Sequence, residues 1–275
     1  MNRRCLLLSG LALALIGAPV AASAAPPFQP SRFSVQVVGR GPDVILIPGL
    51  TSGREVWRAT VNALPGYRYH LLQVSGFAGE AARGNRAGPV IAPLADEIAR
   101  YIADRHLRRP AIVGHSMGGT LAMMIAARRP ELVGKVMVVD MYPQPAGLFG
   151  GTAESMSPLA SIIASPGGRR LFANLMGALS PPEVANRSDP DVVGRAVHDL
   201  AVTDLTAELP RIRAPLTIVY AAPNPRAGAV VDRSFRRAYA AAPHPRFVRI
   251  DGSGHMVMFD QPARLNAAVA EFLRH

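Results

Sequence analysis

The sequence contains a single cysteine among its 275 residues, Cys5, which stands close to the start of the chain. One cysteine cannot form a disulfide bond within the chain. Cys5 also lies in a segment that we expect to be removed, and the remaining protein would then lack a cysteine nucleophile and cysteine metal ligands. Its stability would depend on the burial of apolar surface, which a chain of this length can achieve in one domain.

Long apolar runs are equally scarce. Only residues 6–16 form one, and this run is well short of the roughly 20 apolar residues that a membrane-spanning helix needs. Arginines precede the run and Ala22-Ser23-Ala24 follows it, an arrangement typical of a secretory signal peptide. We therefore predict that residues 1–24 are a signal peptide, and that the mature protein is exported to the periplasm or the medium and has no membrane span.

Lysine is almost absent, so the formal net charge of +11 comes nearly entirely from arginine. The arginines are scattered in pairs such as Arg108-Arg109 and Arg236-Arg237, and no basic run is interleaved with aromatic residues. This pattern predicts a solvated basic surface and no nucleic-acid partner. It does not indicate an oligomeric state.

Motifs for metals and nucleotide cofactors are also missing. The sequence has no H-E-x-x-H motif, no cluster of carboxylates and no glycine-rich phosphate loop. We therefore expect neither a metal ion nor a cofactor.

Strand and helix patterns alternate along most of the chain, which predicts an α/β fold: a mostly parallel sheet with helices on both faces. The predicted strands are Phe33–Val38, Asp43–Ile47, Tyr69–Val74, Ala111–Gly114, Lys135–Val139, Leu216–Tyr220 and Phe247–Ile250. The predicted helices are Glu55–Leu64, Leu94–His106, Met117–Arg129, Asp232–Ala241 and Gln261–Leu273.

The alternation stops between residues 143 and 213. This block contains glycine, proline and helical patches at Ser157–Ala164, Arg169–Leu179 and Asp191–Leu209. A mostly helical block inserted between two strands predicts a cap. The expected organisation is a core formed by residues 25–142 and 214–275, with a helical cap at 143–213.

The strongest local motif is Gly114-His115-Ser116-Met117-Gly118, which fits the pattern G-x-S-x-G. It stands between a predicted strand and an apolar helix, where a sharp turn presents a nucleophilic serine. The residues two before and two after the serine must be small, because side chains there would collide across the turn. Ser116 is therefore the candidate nucleophile.

This motif and its context resemble the α/β-hydrolase family, of the esterase and lipase type, from Asp43 to Phe272. In that family an early strand ends in a glycine turn, matched here by Ile47-Pro48-Gly49-Leu50. The resemblance implies that the amides of Leu50 and Met117 form the oxyanion hole.

The resemblance also implies His255 as the general base, because it lies in the loop after the last predicted strand. The segment Gly252-Ser253-Gly254-His255 is similar to the family's G-x-G-H turn, and Asp260-Gln261-Pro262 to its following helix start. His115 is expected to shape the turn, since its side chain points away from that of Ser116.

The third member of a Ser-His-acid triad departs from the family pattern, because Asn224 stands about where an aspartate is usual. An amide can orient an imidazole but cannot balance the charge of an imidazolium. Some relatives take the acid from the end of the preceding strand, where this chain has Asp140. We favour Asp140 as the acid, followed by Asp232, with Asn224 as a weakened substitute.

These residues predict an exported serine hydrolase that cleaves a carboxylic ester or related acyl substrate through an acyl-enzyme on Ser116. Lactonase, amidase or peptidase, and carbon–carbon bond hydrolase activities are alternatives. Dehalogenase and epoxide hydrolase activities are disfavoured, because enzymes of this fold with those activities need an aspartate where Ser116 stands. A secreted small-molecule binding protein on the same fold, with a decayed site, is an alternative of a different class, and the absence of an aspartate near Asn224 is the feature that favours it.

Overall fold

The computed structural model describes residues 28–156, 158, 165, 167 and 187–275. The predicted signal peptide, residues 1–24, lies outside this part of the chain. Among the described residues, no helix is long and apolar enough to cross a membrane.

Seven strands of the described chain form one sheet, in the order β1-β3-β2-β4-β5-β6-β7. β1 pairs with β3 in antiparallel orientation, and all other neighbours are parallel. The strands are β1 (Phe33–Gly39), β2 (Asp43–Ile47), β3 (Arg68–Val74), β4 (Ala111–His115), β5 (Lys135–Val139), β6 (Leu216–Ala222) and β7 (Arg246–Asp251).

Helices connect these strands, as parallel pairing requires. They are α1 (Arg58–Ala63), α2 (Ile91–Asp104), α3 (Met117–Arg128), α4 (Pro190–Val202), α5 (Pro225–Ala238), α6 (Val257–Asp260) and α7 (Pro262–Arg274). Short 3-10 turns occur at Arg54–Trp57, Arg83–Asn85, Pro130–Leu132, Pro145–Phe149 and Thr206–Arg211.

The sheet has a hydrophobic core on each face, and β4 contributes to both. Ile112 packs in the cluster that contains residues of α2 and α3, whereas its neighbours Ala111 and Val113 pack in the cluster that contains residues of α7. Successive strand side chains point to opposite faces, so apolar residues at consecutive positions bury both sides. The predicted α/β class, with helices on both faces, is confirmed.

The strand order changes direction beside β4. The chain runs from β2 to β3 on one side and then returns to β4 on the other side of β2. Ligands of open α/β sheets bind at such a switch point, outside the carboxyl ends of the strands. The turn that carries Ser116 follows β4 at this edge.

The predicted helix Asp232–Ala241 is wrong at its start, because α5 begins seven residues earlier at Pro225. The Asn224 side chain caps this helix by accepting a hydrogen bond from the Ala227 N–H at 3.0 Å. Proline is compatible with the first helical position, where no intrahelical N–H bond is needed. The dipeptide Asn224-Pro225 is also typical of a turn, so the sequence does not mark the start of this helix clearly.

Two of the helical patches predicted for the cap, Ser157–Ala164 and Arg169–Leu179, lie outside the described residues except for residue 158. The third, Asp191–Leu209, is not one helix: α4 ends at Val202, and a 3-10 turn follows at Thr206–Arg211. The division into core and cap stays a prediction.

Asp199 of α4 ties this helix to α2. Its carboxylate accepts hydrogen bonds from the N–H groups of Val90 (2.6 Å) and Ile91 (3.1 Å), at the start of α2. The first N–H groups of a helix have no partner within the helix, and a negative charge there also complements the helix dipole.

We expect Asp199→Ala to lower the free energy of unfolding by about 1–2 kcal/mol, the usual cost of losing such a cap. Asp104→Ala is the control, since its exposed ion pair with Arg100 contributes little. Urea unfolding of both variants measures the difference. Equal stability of the two variants would contradict the capping role.

Candidate active site

Ser116 occupies a sharp turn between β4 and α3, with φ 53° and ψ −122°. A positive φ is uncommon for a residue with a side chain and costs roughly 1–3 kcal/mol, so it persists only where the surroundings enforce it. The Ser116 N–H donates to the Val139 carbonyl of β5 at 2.9 Å, and the residue is 8% exposed. The turn is thereby fixed to the neighbouring strand.

The glycines of the motif are required by close backbone contacts. A Cβ at Gly114 would lie 2.1 Å from the Gly118 carbonyl oxygen, and a Cβ at Gly118 would lie 2.3 Å from the Ile47 carbonyl oxygen. Both distances are far below van der Waals contact. The contacted oxygens belong to the backbone and cannot move without displacing a strand or a helix. Only glycine therefore fits two residues before Ser116 and two residues after it.

Three side chains converge at the carboxyl edge of the sheet. The His255 Nε2 atom lies 2.9 Å from the Ser116 Oγ, and its Nδ1 lies 2.7 Å from the Asp140 Oδ2. Asp140 directly follows β5, and His255 lies in the loop after β7. A carboxylate accepts only, so Nδ1 carries the proton and Nε2 is free to accept the serine hydroxyl hydrogen.

The Asp140 carboxylate is held by the adjacent strand as well as by the histidine. Its Oδ1 accepts the N–H of Ala221 at 2.9 Å, while Oδ2 faces His255. The Asp140 side chain is 10% exposed and the His255 side chain 42%. The carboxylate is therefore fixed in a largely buried place, and the histidine is accessible to a ligand.

The structure does not bring the other two candidate acids to His255. Asn224 caps α5 through its side-chain oxygen. Asp232 accepts hydrogen bonds from the Tyr220 hydroxyl (2.8 Å) and from the Arg249 guanidinium (2.6 Å). Both side chains therefore form hydrogen bonds at α5 or between α5 and the neighbouring strands, and not with His255.

The loop that carries His255 is held by the residues that follow it. The Asp260 carboxylate accepts the N–H of Gly254 at 2.8 Å, and the Gln261 side-chain amide donates to the Gly252 carbonyl at 2.9 Å. In the sequence, Asp260-Gln261-Pro262 is only a resemblance to the family. These contacts give it a physical role, in fixing the backbone before the histidine.

The amides of Leu50 and Met117 lie on the two segments that adjoin Ser116. Met117 is the first residue of α3, and a Cβ at Gly49 would lie 3.1 Å from the Ser116 Cβ. Among the backbone hydrogen bonds of turns and loops in the described chain, neither amide acts as a donor. Two backbone donors beside a serine hydroxyl can stabilise negative charge that develops on a substrate oxygen.

Comparison with known proteins places this arrangement in a family. The model of the alpha/beta hydrolase family matches residues 44–268, most of the chain. The chain belongs to the alpha/beta hydrolase family.

Two curated relatives are 26% identical to this family member. One is an N-formylmaleamate deformylase from Pseudomonas putida, with 86% of this chain and 90% of the relative covered. The other is a pimeloyl-[acyl-carrier protein] methyl ester esterase from Vibrio atlanticus, with 67% and 77% covered. The enol-lactonase structure from Burkholderia xenovorans shares the fold, with a TM-score of 0.69, 19% identity and coverage of 88% and 96%. Together the comparisons support a hydrolase.

The burial of His115, the residue before Ser116 in this alpha/beta hydrolase, affects its protonation. Burial, and then the nearby His255, lower the pKa of His115 to about 3. The imidazole is therefore neutral at ordinary pH. In an unfolded chain its pKa would be near 6.5.

We expect His115 to reduce the stability of the protein as the pH falls below about 6.5. In this range the unfolded chain binds a proton that the folded protein does not bind, so the free energy of unfolding falls by up to about 1.4 kcal/mol per pH unit. Above this range the imidazole is neutral in both states and the contribution is constant. Urea unfolding across this range should show a shallower decline for His115→Gln than for the wild type, and equal slopes would contradict the expectation.

Proposed function

We propose that this protein is an exported serine hydrolase that cleaves a carboxylic ester or a related acyl substrate through an acyl-enzyme on Ser116. The observation that carries the proposal is the hydrogen-bonded chain from the Ser116 Oγ to the His255 Nε2 (2.9 Å) and from the His255 Nδ1 to Asp140 (2.7 Å). A serine, a base and an acid in this order are the elements of nucleophilic acyl transfer.

The first half of the reaction forms an ester on the enzyme. His255 takes the proton of the Ser116 hydroxyl as the oxygen attacks the substrate carbonyl carbon, and the imidazolium that forms is stabilised by Asp140. The tetrahedral intermediate then collapses. Its carbon–oxygen bond to the leaving alcohol breaks, and His255 gives its proton to the alcohol.

The second half returns the enzyme to its starting state. Water attacks the acyl carbon while His255 accepts one of its protons. The bond to the Ser116 oxygen then breaks, and the proton on His255 returns to this oxygen as the carboxylic acid leaves. In both halves the amides of Leu50 and Met117 would donate to the oxyanion, and each such donor typically contributes about 3 kcal/mol to stabilisation of the transition state.

The relatives support hydrolysis of acyl compounds and leave the bond type open. The named substrates of the two curated relatives are a methyl ester and an N-formyl compound. We choose the ester because a serine alkoxide displaces an alcohol more readily than an amine. Lactonase, amidase or peptidase, and carbon–carbon bond hydrolase activities stay as alternatives.

The alternative of a non-catalytic binding protein depended on the missing aspartate near Asn224. Asp140 occupies the hydrogen-bonding position beside His255, so this feature no longer favours that alternative. Export depends on the sequence pattern of residues 1–24 alone. Sequencing the amino terminus of protein recovered from a periplasmic fraction tests it, and an uncleaved chain in the cytoplasm would contradict it.

We expect Ser116→Ala to abolish hydrolysis of p-nitrophenyl esters and to prevent labelling by a fluorophosphonate. The variant lacks the only oxygen that is in contact with the His255 Nε2 in the described chain. Ser31→Ala is the control, because Ser31 contacts Glu97 and lies beside edge strand β1. Turnover and labelling that persist in Ser116→Ala would contradict the proposal. An acyl-chain series with the wild type would then give the size of the acyl pocket.

We expect Asp140→Asn to lower kcat by about 10⁴-fold, because an amide donor at this place favours the wrong tautomer of the histidine. Asp232→Asn is the matched control and should retain kcat within about threefold, since Asp232 contacts Tyr220 and Arg249. Steady-state kinetics with one p-nitrophenyl ester compare the two. A loss confined to Asp232→Asn would identify Asp232 as the acid instead.

A further inference from the structure

His115 is in contact with the histidine loop as well as with the nucleophile turn. Its side chain is buried, and its ring lies 4.8 Å from the ring of His255, tilted by 44°. The Nε2 atom lies 2.9 Å from the carbonyl oxygen of His255. On the other side of the ring, a Cβ at Gly49 would lie 2.9 Å from Nδ1. The imidazole therefore fills the space between the turn that carries Ser116, the turn after β2 and the histidine loop.

The contact with the carbonyl determines the tautomer of His115. A carbonyl oxygen only accepts, so the Nε2 atom must carry a hydrogen and donate it. The Nδ1 atom is buried and has no hydrogen-bond partner in the described part of the chain. A proton on Nδ1 would be an unsatisfied buried donor, which is costly. His115 is thus a neutral donor whose one ring hydrogen is held by the carbonyl of His255.

The hydrogen bond from the His115 Nε2 acts directly on the backbone of His255. The earlier part of the loop is held through the N–H groups of Gly252 and Ser253, which donate to Ala222, and of Gly254, which donates to Asp260. Among the described residues, the backbone of His255 has no hydrogen bond other than the one from His115. The imidazole of His255 has bonds to Ser116 and Asp140, but the Ser116 bond must break and re-form during the proposed reaction.

We propose that His115 is a positioning residue for the base: its Nε2–H holds the carbonyl of His255 and so fixes the distance between the His255 ring and Ser116. The inference rests on the proposed function, because it assigns a role relative to Ser116 and His255. Without the bond, the backbone at residue 255 can shift while the loop before it stays in place. Small misplacements of reacting groups reduce the rate strongly, whereas substrate affinity depends on other contacts.

A pair of variants with the same shape isolates the hydrogen bond. Glutamine has its side-chain nitrogen three bonds from Cβ, as the Nε2 of histidine is, and this nitrogen can donate. Methionine places a methyl group at the corresponding position and cannot donate. We expect His115→Met to lower kcat by about tenfold with KM changed less than about threefold, and His115→Gln to recover most of kcat. The kcat values are calculated per active site, with the active fraction measured by fluorophosphonate titration, so that partial misfolding does not imitate the effect.

The outcomes separate this role from a packing role. Full kcat in His115→Met would overturn the proposal, and so would an equal loss in both variants, because the donor would then not matter. A second readout is the pH profile of kcat/KM: we expect its acidic limb to have the same midpoint in His115→Gln as in the wild type. A large shift there would show that His115 acts on the charge of the base and not on its position.

A measurement on the wild type covers the case in which His115→Met does not fold. Nitrogen-15 NMR of histidine side chains distinguishes the two neutral tautomers, and the spectrum of His115→Gln assigns the signal of His115. We expect the Nε2–H tautomer near neutral pH, and an Nδ1–H tautomer would overturn the proposal. If the wild type neither turns over an ester nor labels at Ser116, the proposed function fails, and the tautomer still decides whether the hydrogen bond exists.

Discussion

Ser116 has a strained backbone conformation, with φ 53°, between a strand and a helix, and the close backbone contacts around this turn constrain the rest of the site. The strand β4 lies so close to the start of α3 that Gly114 admits no Cβ, and α3 lies so close to the end of β2 that Gly118 admits none. The turn after β2 is pressed against them at Gly49. Leu50 follows Gly49 and Met117 follows Ser116, so the two amides that we propose as oxyanion donors belong to these tightly packed segments. The proposed nucleophile and its proposed oxyanion donors are thus consequences of one strained turn.

The other two candidate groups depend on the sheet. Parallel strands end at the same edge, so the residues that directly follow β4 and β5 and the loop after β7 meet there although they are far apart in the chain. Each of the first two is also held by the next strand. The Ser116 N–H donates to the Val139 carbonyl, and the Ala221 N–H donates to the Asp140 carboxylate. The histidine lies on a loop and needs more support. Asp260 and Gln261 provide it from one side, and we infer that His115 provides it from the other.

Much of this could be predicted from local patterns. Buried strands such as Asp43–Ile47 and Lys135–Val139 were predicted with their observed bounds, because apolar runs between turn residues are a strong signal. Asp140 was favoured as the acid over Asp232 and Asn224, but an aspartate after a strand is common, and the hydrogen bond to His255 appears only in the three-dimensional structure. The start of α5 was missed because Asn224-Pro225 signals a turn and a helix start equally well. The cap on α2 from Asp199 could not be predicted, since the residues are more than 100 positions apart.

The central claim is that Ser116 carries the acyl group during turnover. The most direct test mixes the protein with an excess of a p-nitrophenyl ester, stops the reaction with acid in the steady state and locates the acyl group by peptide mass spectrometry. The account predicts an acyl adduct on the peptide that contains Ser116, at the serine oxygen, and a burst of p-nitrophenol equal to the amount of active sites if deacylation is the slower half. Turnover with the acyl group on a different residue would contradict it.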